Sequence, residues 1–398
     1  MVKRKPSILF INRVFPPQRG ATGRMLSDLA LSFAKDGWKV TVITTGTEHP
    51  VPSQIKKKAN IEVFRVGKTA TKTKLGYLKA LIHMSFKACM LPKHDIVVTM
   101  TDPPLIMLAG RLVQIFRSSR HMHWCQDLYP DLFPVVGANF PSSLAGLFKK
   151  ITRKTLKKAD KIIVLGRCMA RQLTHSGVEP SRISVIPNWY SAKMVMPKAG
   201  KRDAEPQNTK FRILYTGTLS YIHPFESVVE AAERLQDTHP DIEIVFAGAG
   251  SSYKKLAEIR AEKRLSNIKL LPFQPNSKLP ALIESGDVHL VTLSEKATGL
   301  SVPSKFYNSF AAERPVIFIG SKSSEIARTI TDYKCGTVVS PDNVNALILA
   351  IESYRENENV WFDAQKGSEQ AAKVFTPEQS VQIWLEKAHS VYLNGQSK

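Results

Sequence analysis

Thr298-Gly299-Leu300-Ser301-Val302-Pro303-Ser304-Lys305-Phe306-Tyr307-Asn308-Ser309-Phe310-Ala311-Ala312-Glu313-Arg314-Pro315-Val316-Ile317 reads as one structural unit. Gly299 sits in a loop, Pro303 and Ser304 mark a helix start, and the apolar run from Val316 is strand-like. Proline lacks the amide that a first helical turn leaves unpaired, and serine caps such a turn, so the pair suits the beginning of a helix. A second apolar run, Val288 to Leu293, precedes the loop. Strand, helix and strand in this order make a crossover, and a chain of crossovers folds as a parallel sheet covered on both faces.

The same alternation extends to both sides. Phe211 to Tyr215, Ile242 to Ala247, Ile268 to Leu271, Val316 to Ile319 and Gly336 to Val339 read as further strands of this half, with helices such as Phe225 to Gln236 and Tyr253 to Glu262 between them. In the first half the strands are Ser7 to Asn12, Lys39 to Thr44, Ile61 to Val66, Asp95 to Met100, His121 to Cys125, Lys161 to Leu165 and Ile183 to Ile186. Between the halves, Lys193 to Thr209 has no apolar period and reads as a linker. Thr376 to Leu393 makes an amphipathic closing helix. The predicted class is α/β: a doubly wound domain over 1–190 joined by the closing segment 376–398, a linker over 191–210, and a second doubly wound domain over 211–375.

Charge separates the halves. The net charge of +22 comes entirely from residues 1–200, which hold 33 Lys and Arg against 10 Asp and Glu. A polyanionic partner is therefore expected on the first domain only. Cys89, Cys125, Cys168 and Cys335 lie far apart, which excludes a disulfide framework or a thiolate metal site by spacing and fits a reducing compartment. The apolar stretch at Ser7 is too short for a signal peptide, and no window approaches the ~20 apolar residues of a membrane span.

Ligands of doubly wound sheets bind beyond the carboxyl ends of the strands. After the first strand, Gly20, Gly23 and Arg24 precede a helix predicted over Met25 to Lys35, and a helix start offers free amides to an anion. Asp102 and Asp127 each follow a strand at the same edge; Asp102 reads equally as a helix cap, Asp127 does not. His121 and His123 lie within a strand and read as packing residues. In the second half, Gly217, Thr218, Gly248 and Gly250 end strands, where glycine permits close backbone contact with a ribose or diphosphate. Gly299, Ser301, Ser304 and Lys305 offer donors and charge to a diphosphate, and Asn308, one turn on, is placed for a sugar hydroxyl.

These motifs, in this order, resemble the GT-B glycosyltransferases, specifically glycosyltransferase family 4 in the branch that builds bacterial surface polysaccharides. The resemblance runs from about Ser7 to about Val339 through Phe15-Pro16-Pro17 to Gly23, Gln126 to Pro130, Ala159 to Val164, Val185 to Trp189 and Pro303-Ser304-Lys305 to Ile317. It implies two facing Rossmann-like domains, a nucleotide-sugar donor held by the second, an acceptor on the first, retention at the anomeric carbon, and neither metal nor cofactor. Lys305 and Arg24 would stabilise the departing diphosphate, and Asp127 would act near the reacting carbon. Two glutamates usual in the family fall at Leu300 and Asn308, and its Arg and Lys after the Gly217 strand are missing, Thr218 standing there instead.

The expected reaction is transfer from a nucleotide diphosphate sugar, a uridine one, to a lipid-linked saccharide of O-antigen, capsule or exopolysaccharide. A cytoplasmic, peripheral position at an anionic membrane surface follows from the basic amphipathic segments Tyr77 to Leu91 and Ser142 to Lys161, the latter with Lys149, Lys150, Arg153, Lys154, Lys157 and Lys158. A sugar-nucleotide 2-epimerase of the same architecture is the rival enzyme. A nucleic-acid-binding protein is the non-enzymatic rival, disfavoured because no recognised module is present and aromatics do not interleave with the basic runs.

Overall fold

Ser7–Ile11 forms β1, and all five of its residues are buried. A strand that is apolar without alternation needs cover on both faces, which puts it inside a parallel sheet. The computed structural model, which describes residues 5–18, 20–49, 61–68, 73–138, 140–190, 210–275 and 277–396, places it there. The chain continues through α1 (Ala21–Lys35), β2 (Lys39–Thr45), β3 (Ile61–Val66), α2 (Lys74–Met90), β4 (Ile96–Thr99), α3 (Met107–Arg117), β5 (Arg120–Cys125), α4 (Ser142–Lys158), β6 (Lys161–Val164), α5 (Arg167–His175) and β7 (Ile183–Val185). These strands are all parallel, in the order β3-β2-β1-β4-β5-β6-β7.

The second sheet has β8 (Phe211–Thr218), β9 (Ile242–Ala249), β10 (Ile268–Leu271), β11 (Val288–Thr292), β12 (Val316–Ile319) and β13 (Gly336–Val339) in the order β10-β9-β8-β11-β12-β13. Its helices are α6 (Glu226–Thr238), α7 (Tyr253–Glu262), α8 (Leu279–Glu284), α9 (Phe306–Ala311), α10 (Glu325–Tyr333) and α11 (Val344–Glu356), followed by α12 (Glu358–Val374) and α13 (Pro377–Gln396). Each sheet reverses its winding once, between β1 and β4 and between β8 and β11. A crevice opens at such a point beyond the strand ends.

Three boundaries differ from the sequence reading. Helix α1 begins four residues before Met25, so Gly23 and Arg24 lie in its first turn and not in a preceding loop. Helix α9 begins at Phe306 and has six residues, because Phe306 and Tyr307 close tight turns on the carbonyls of Pro303 and Ser304. Pro303, Ser304 and Lys305 are thus a turn leading into a short helix. Strands β8 and β9 run on to Thr218 and Ala249, pairing Gly217 with Gly248 inside the ladder. A Cβ on Gly248 would lie 1.9 Å from the Gly217 carbonyl oxygen, so glycine here lets the two backbones approach. The stretch read as a linker, 191–210, lies outside the described residues except for Lys210.

Helix α13 returns to the first sheet, packing near α1, β4 and β5. Trp384 meets Trp124 edge-on at 4.9 Å, and Trp124 stacks on Trp189 at 5.9 Å. Each such aromatic pair contributes about 0.5–1.5 kcal/mol beyond its buried area. The domains touch at the crevice floor, where Asp127 and Ser301 form an antiparallel bridge and the Leu128 amide donates to the Leu300 carbonyl at 2.7 Å. At the rim, Arg167 of α5 reaches Glu325 at 2.9 Å and Asp332 at 3.0 Å on α10.

Candidate active site

The first wall of the crevice is built from the ends of β1, β4 and β5. Arg13, just beyond β1, clasps Asp102 with two parallel bonds, Nε to Oδ1 at 2.6 Å and Nη2 to Oδ2 at 2.8 Å. Its guanidinium carbon stands 5.2 Å from the centre of the Tyr77 ring. The fork of arginine matches a carboxylate in this way, so Asp102 is held as half of an ion pair. The cap reading fails, because the next helix begins only at Met107.

Asp127 follows β5. Its Oδ1 accepts a hydrogen bond from the Ser301 hydroxyl at 2.7 Å, across the crevice. Burial pushes its pKa above the usual carboxylate range; the Ser301 bond opposes this and the charge of Asp102 adds to it. Burial also raises the neighbouring Tyr129 phenol, with Asp127 and Asp102 contributing. Behind them, His121 and His123 are fully buried and share the Thr99 hydroxyl at 2.9 and 3.1 Å. Burial pulls both down to about 3, which leaves them neutral packing residues.

Opposite lies a cation. Lys305 Nζ sits 3.9 Å above the centre of the Tyr215 ring, hydrogen-bonded to the Tyr215 hydroxyl and, at 3.2 Å, to the Thr218 carbonyl. Tyr215 donates in turn to the Thr218 carbonyl at 2.8 Å. Tyr215 and Gly217 share one face of β8, as residues two apart do. Gly217 has φ +114°, a conformation other residues rarely take, and a Cβ there would lie 3.8 Å from the Lys305 Cε. Burial lowers the Lys305 pKa well below that of a free lysine and raises that of Tyr215. Burial, with the Lys305 charge second, lowers His223 as well. A neighbouring anion would favour the charged lysine again.

The remaining expected site residues divide. Gly250, like Gly248, is required by strand packing, since its Cβ would meet the Leu219 carbonyl oxygen at 1.9 Å. Gly20 and Gly23 let α1 lie on Val14, whose side chain or carbonyl a Cβ would approach to 2.9 Å. Arg24 is held in that first turn with its Nε buried and unpartnered, and burial lowers its pKa. Gly299, at φ +77°, faces the Cys168 carbonyl of the first domain, and Ser301 faces Asp127. Ser304 is half-buried in the turn before α9. Asn308 keeps a buried, unpartnered Oδ1, whereas Leu300 is buried in the core with its carbonyl in the domain bridge. On α4, Lys149 pairs with Asp131 at 3.0 Å, and Lys150, Arg153, Lys154, Lys157 and Lys158 are exposed.

Sequence reasoning missed Arg13 and Tyr215. Arg13 carried a signal, an arginine directly beyond a central strand; Tyr215 did not, because tyrosine inside a strand is ordinary packing material.

Two family models match successive parts of the chain: a glycosyl transferase 4-like domain over residues 20–189 and glycosyl transferases group 1 over residues 198–374. The chain belongs to the glycosyltransferases of group 1, with a 4-like first domain. This glycosyltransferase is 22% identical over 360 residues to "Probable glycosyltransferase WbjE" of Pseudomonas aeruginosa, covering 88% of the chain and 89% of the relative. It is 27% identical over 264 residues to "Putative colanic acid biosynthesis glycosyl transferase WcaI" of Escherichia coli (strain K12), 63% of each being covered. Among solved structures, Anabaena HepE in complex with UDP and glucose shares its fold with a TM-score of 0.73 at 14% identity, over 97% of this chain and all of the other.

Proposed function

We propose that this glycosyltransferase moves a sugar, with retention of anomeric configuration, from a uridine diphosphate donor to a lipid-linked saccharide during surface polysaccharide assembly. The observation that carries the reading is the crevice itself: a half-buried lysine over the Gly217–Thr218 backbone stands on the wall opposite a half-buried carboxyl at the domain junction. Breaking a glycosidic bond to a diphosphate puts negative charge on the leaving group and positive charge on the sugar. Lys305 meets the first and Asp127 the second, each from a half-buried position where charge acts more strongly than in water.

Arrival of the diphosphate favours the protonated lysine, and positive charge on the sugar favours ionised Asp127, which the Ser301 hydroxyl already supports. Arg13 holds Asp102 in place, leaving that carboxylate to orient the acceptor. Asn308 contributes an acceptor to the donor's hydroxyls, and Arg24 adds charge near the diphosphate. Protein groups, not a metal, carry the leaving group in this scheme. The name of WcaI supports the pathway class, and the UDP held by HepE supports the donor. The basic first half supports an acceptor presented at an anionic cytoplasmic leaflet.

A thermal-shift panel of nucleotide sugars tests the donor. UDP-sugars should raise the melting temperature while GDP- and ADP-sugars leave it unchanged, and the reverse pattern would sink the uridine assignment. Transfer onto lipid-linked acceptors, with the anomer read by NMR, then tests acceptor and retention.

A further inference from the structure

Gln126 precedes Asp127 at the end of β5, Asn188 follows β7, and both side chains are buried. They are paired. Gln126 Nε2 donates to Asn188 Oδ1 at 3.1 Å, and Asn188 Nδ2 donates back to Gln126 Oε1 at 2.8 Å. The Asn188 side of the pair is pinned from several directions. Trp189, the next residue, stacks on Trp124 of β5 at 5.9 Å. The Pro187 carbonyl accepts a bond from the Ser380 hydroxyl of α13 at 3.2 Å. From the second domain, the buried Tyr307 of α9, two residues beyond Lys305, turns its hydroxyl toward the Asn188 backbone amide.

Two amides buried beside tryptophans give up their water, and two apolar side chains of the same volume would fill the space without that cost. What the amides add is direction. Each donor has one acceptor, so a shift of the chain on either side leaves a buried group unpaired. That constraint falls on the residue next to Asp127, which is thus braced twice: by Ser301 in front and, through Gln126, by Asn188 behind. We propose that Gln126 and Asn188 are positioning residues for the transfer: their amide pair, seated against Tyr307, holds Asp127 in register with Ser301 and Lys305 across the domain junction. Neither touches the reacting atoms; both act through the carboxylate. The inference rests on the role proposed for Asp127 and adds what fixes its place. Position matters there, since a displacement of about 1 Å at a reacting centre can cost about a hundredfold in rate.

Asn188→Asp tests the pair with pH as the switch. A protonated aspartic acid has the shape of asparagine, and its O–H donates to Gln126 Oε1 in place of Nδ2; the ionised form only accepts and breaks that bond. Burial raises the pKa of such a carboxyl, so the change is sought between about pH 5.5 and about pH 8. The titratable groups beside it, Asp127 and Tyr307, are the same in the parent, and each reading is the ratio of variant to parent. Hydrogen exchange of the UDP-bound chain should be about tenfold faster over residues 126–129 and 301–308 at the higher pH and return to the parent's rate at the lower. UDP released by hydrolysis of the UDP-sugar that most stabilises the parent should fall and recover over the same range. UDP affinity should stay within about twofold of the parent throughout. Gln126→Glu, the mirror image of the swap, should repeat the pattern. Tyr307→Phe, which removes only the hydroxyl facing Asn188, should speed exchange at 126–129 from the far side of the junction. A ratio indifferent to pH in both amide variants, or residues 301–308 unmoved while 126–129 loosens, would overturn the proposal. UDP affinity lost in step with hydrolysis would also overturn it, showing a merely structural pair. Exchange decides the matter whether or not the parent hydrolyses a donor in water. Restored exchange without restored hydrolysis would count instead against Asp127 at the reacting centre, so the two readings fail separately.

Discussion

The two walls of the crevice arise from the same device, a reversal of winding in a parallel sheet, yet they handle charge in opposite ways. On the first wall, charge is held by partners: Arg13 clasps Asp102 and Ser301 reaches Asp127. On the second, one lysine is held over an aromatic ring by a tyrosine hydroxyl and a backbone carbonyl, beside a strand end stripped of side chains at Gly217. The difference shows that the topology sets only where a ligand binds. In the proposed reaction, the residue types at the strand ends put the sugar's positive charge and the leaving group's negative charge on opposite sides.

The sharpest way to break this comparison is to remove the carboxylate. Asp127→Asn should cut the transfer rate by about a hundredfold or more, the scale of losing an electrostatic group aimed at the transition state, with donor affinity near that of the parent. Equal loss of both would make Asp127 structural. Next in size, Lys305→Met should weaken UDP binding by about 2 kcal/mol, roughly thirtyfold in Kd, as expected for a charge-assisted bond; titration calorimetry gives the value.

Tyr215→Phe keeps the ring under Lys305 and deletes only the hydroxyl. It should cost about 1 kcal/mol, roughly fivefold in UDP affinity, and no measurable change would leave the ring alone as the lysine's support. The last effect is absent at neutral pH. His121 and His123 behind the first wall are pulled from 6.5 to about 3, and His289 in the second sheet to about 4, all mainly by burial. Below pH 6.5 the unfolded chain takes up protons that the folded chain refuses, so stability complete above that value falls as the pH drops. Each histidine steepens the fall by up to about 1.4 kcal/mol per pH unit. Urea midpoints measured from pH 7 to 5 should decline, more gently in His121→Gln/His123→Gln.

How far the residues announced this arrangement depends on the wall. Every strand was readable from its apolar residues, the central ones most plainly, because a sheet covered on both faces leaves them no polar alternation. The ends of β8 and β9 were not, since glycine reads as a stop although Gly248 is needed for close pairing with Gly217. Asp127 stood out as a charge just past an apolar strand, and Lys305 as a charge directly behind the Pro303–Ser304 pair. Tyr215 did not, and neither did the orientation of α2, which turns Leu78, Ile82 and Phe86 outward: periodicity shows that apolar residues share a face but not whether the face looks toward the sheet or away from it. Large residues inward and small ones outward would give the same repeat as the arrangement found.

The division of labour between the walls is tested most directly by titrating UDP calorimetrically into the parent, Asp127→Ala and Lys305→Ala side by side. UDP should bind Asp127→Ala as it binds the parent, while Lys305→Ala loses affinity by roughly thirtyfold. Parallel losses in both variants, or an unchanged Lys305→Ala, would contradict it.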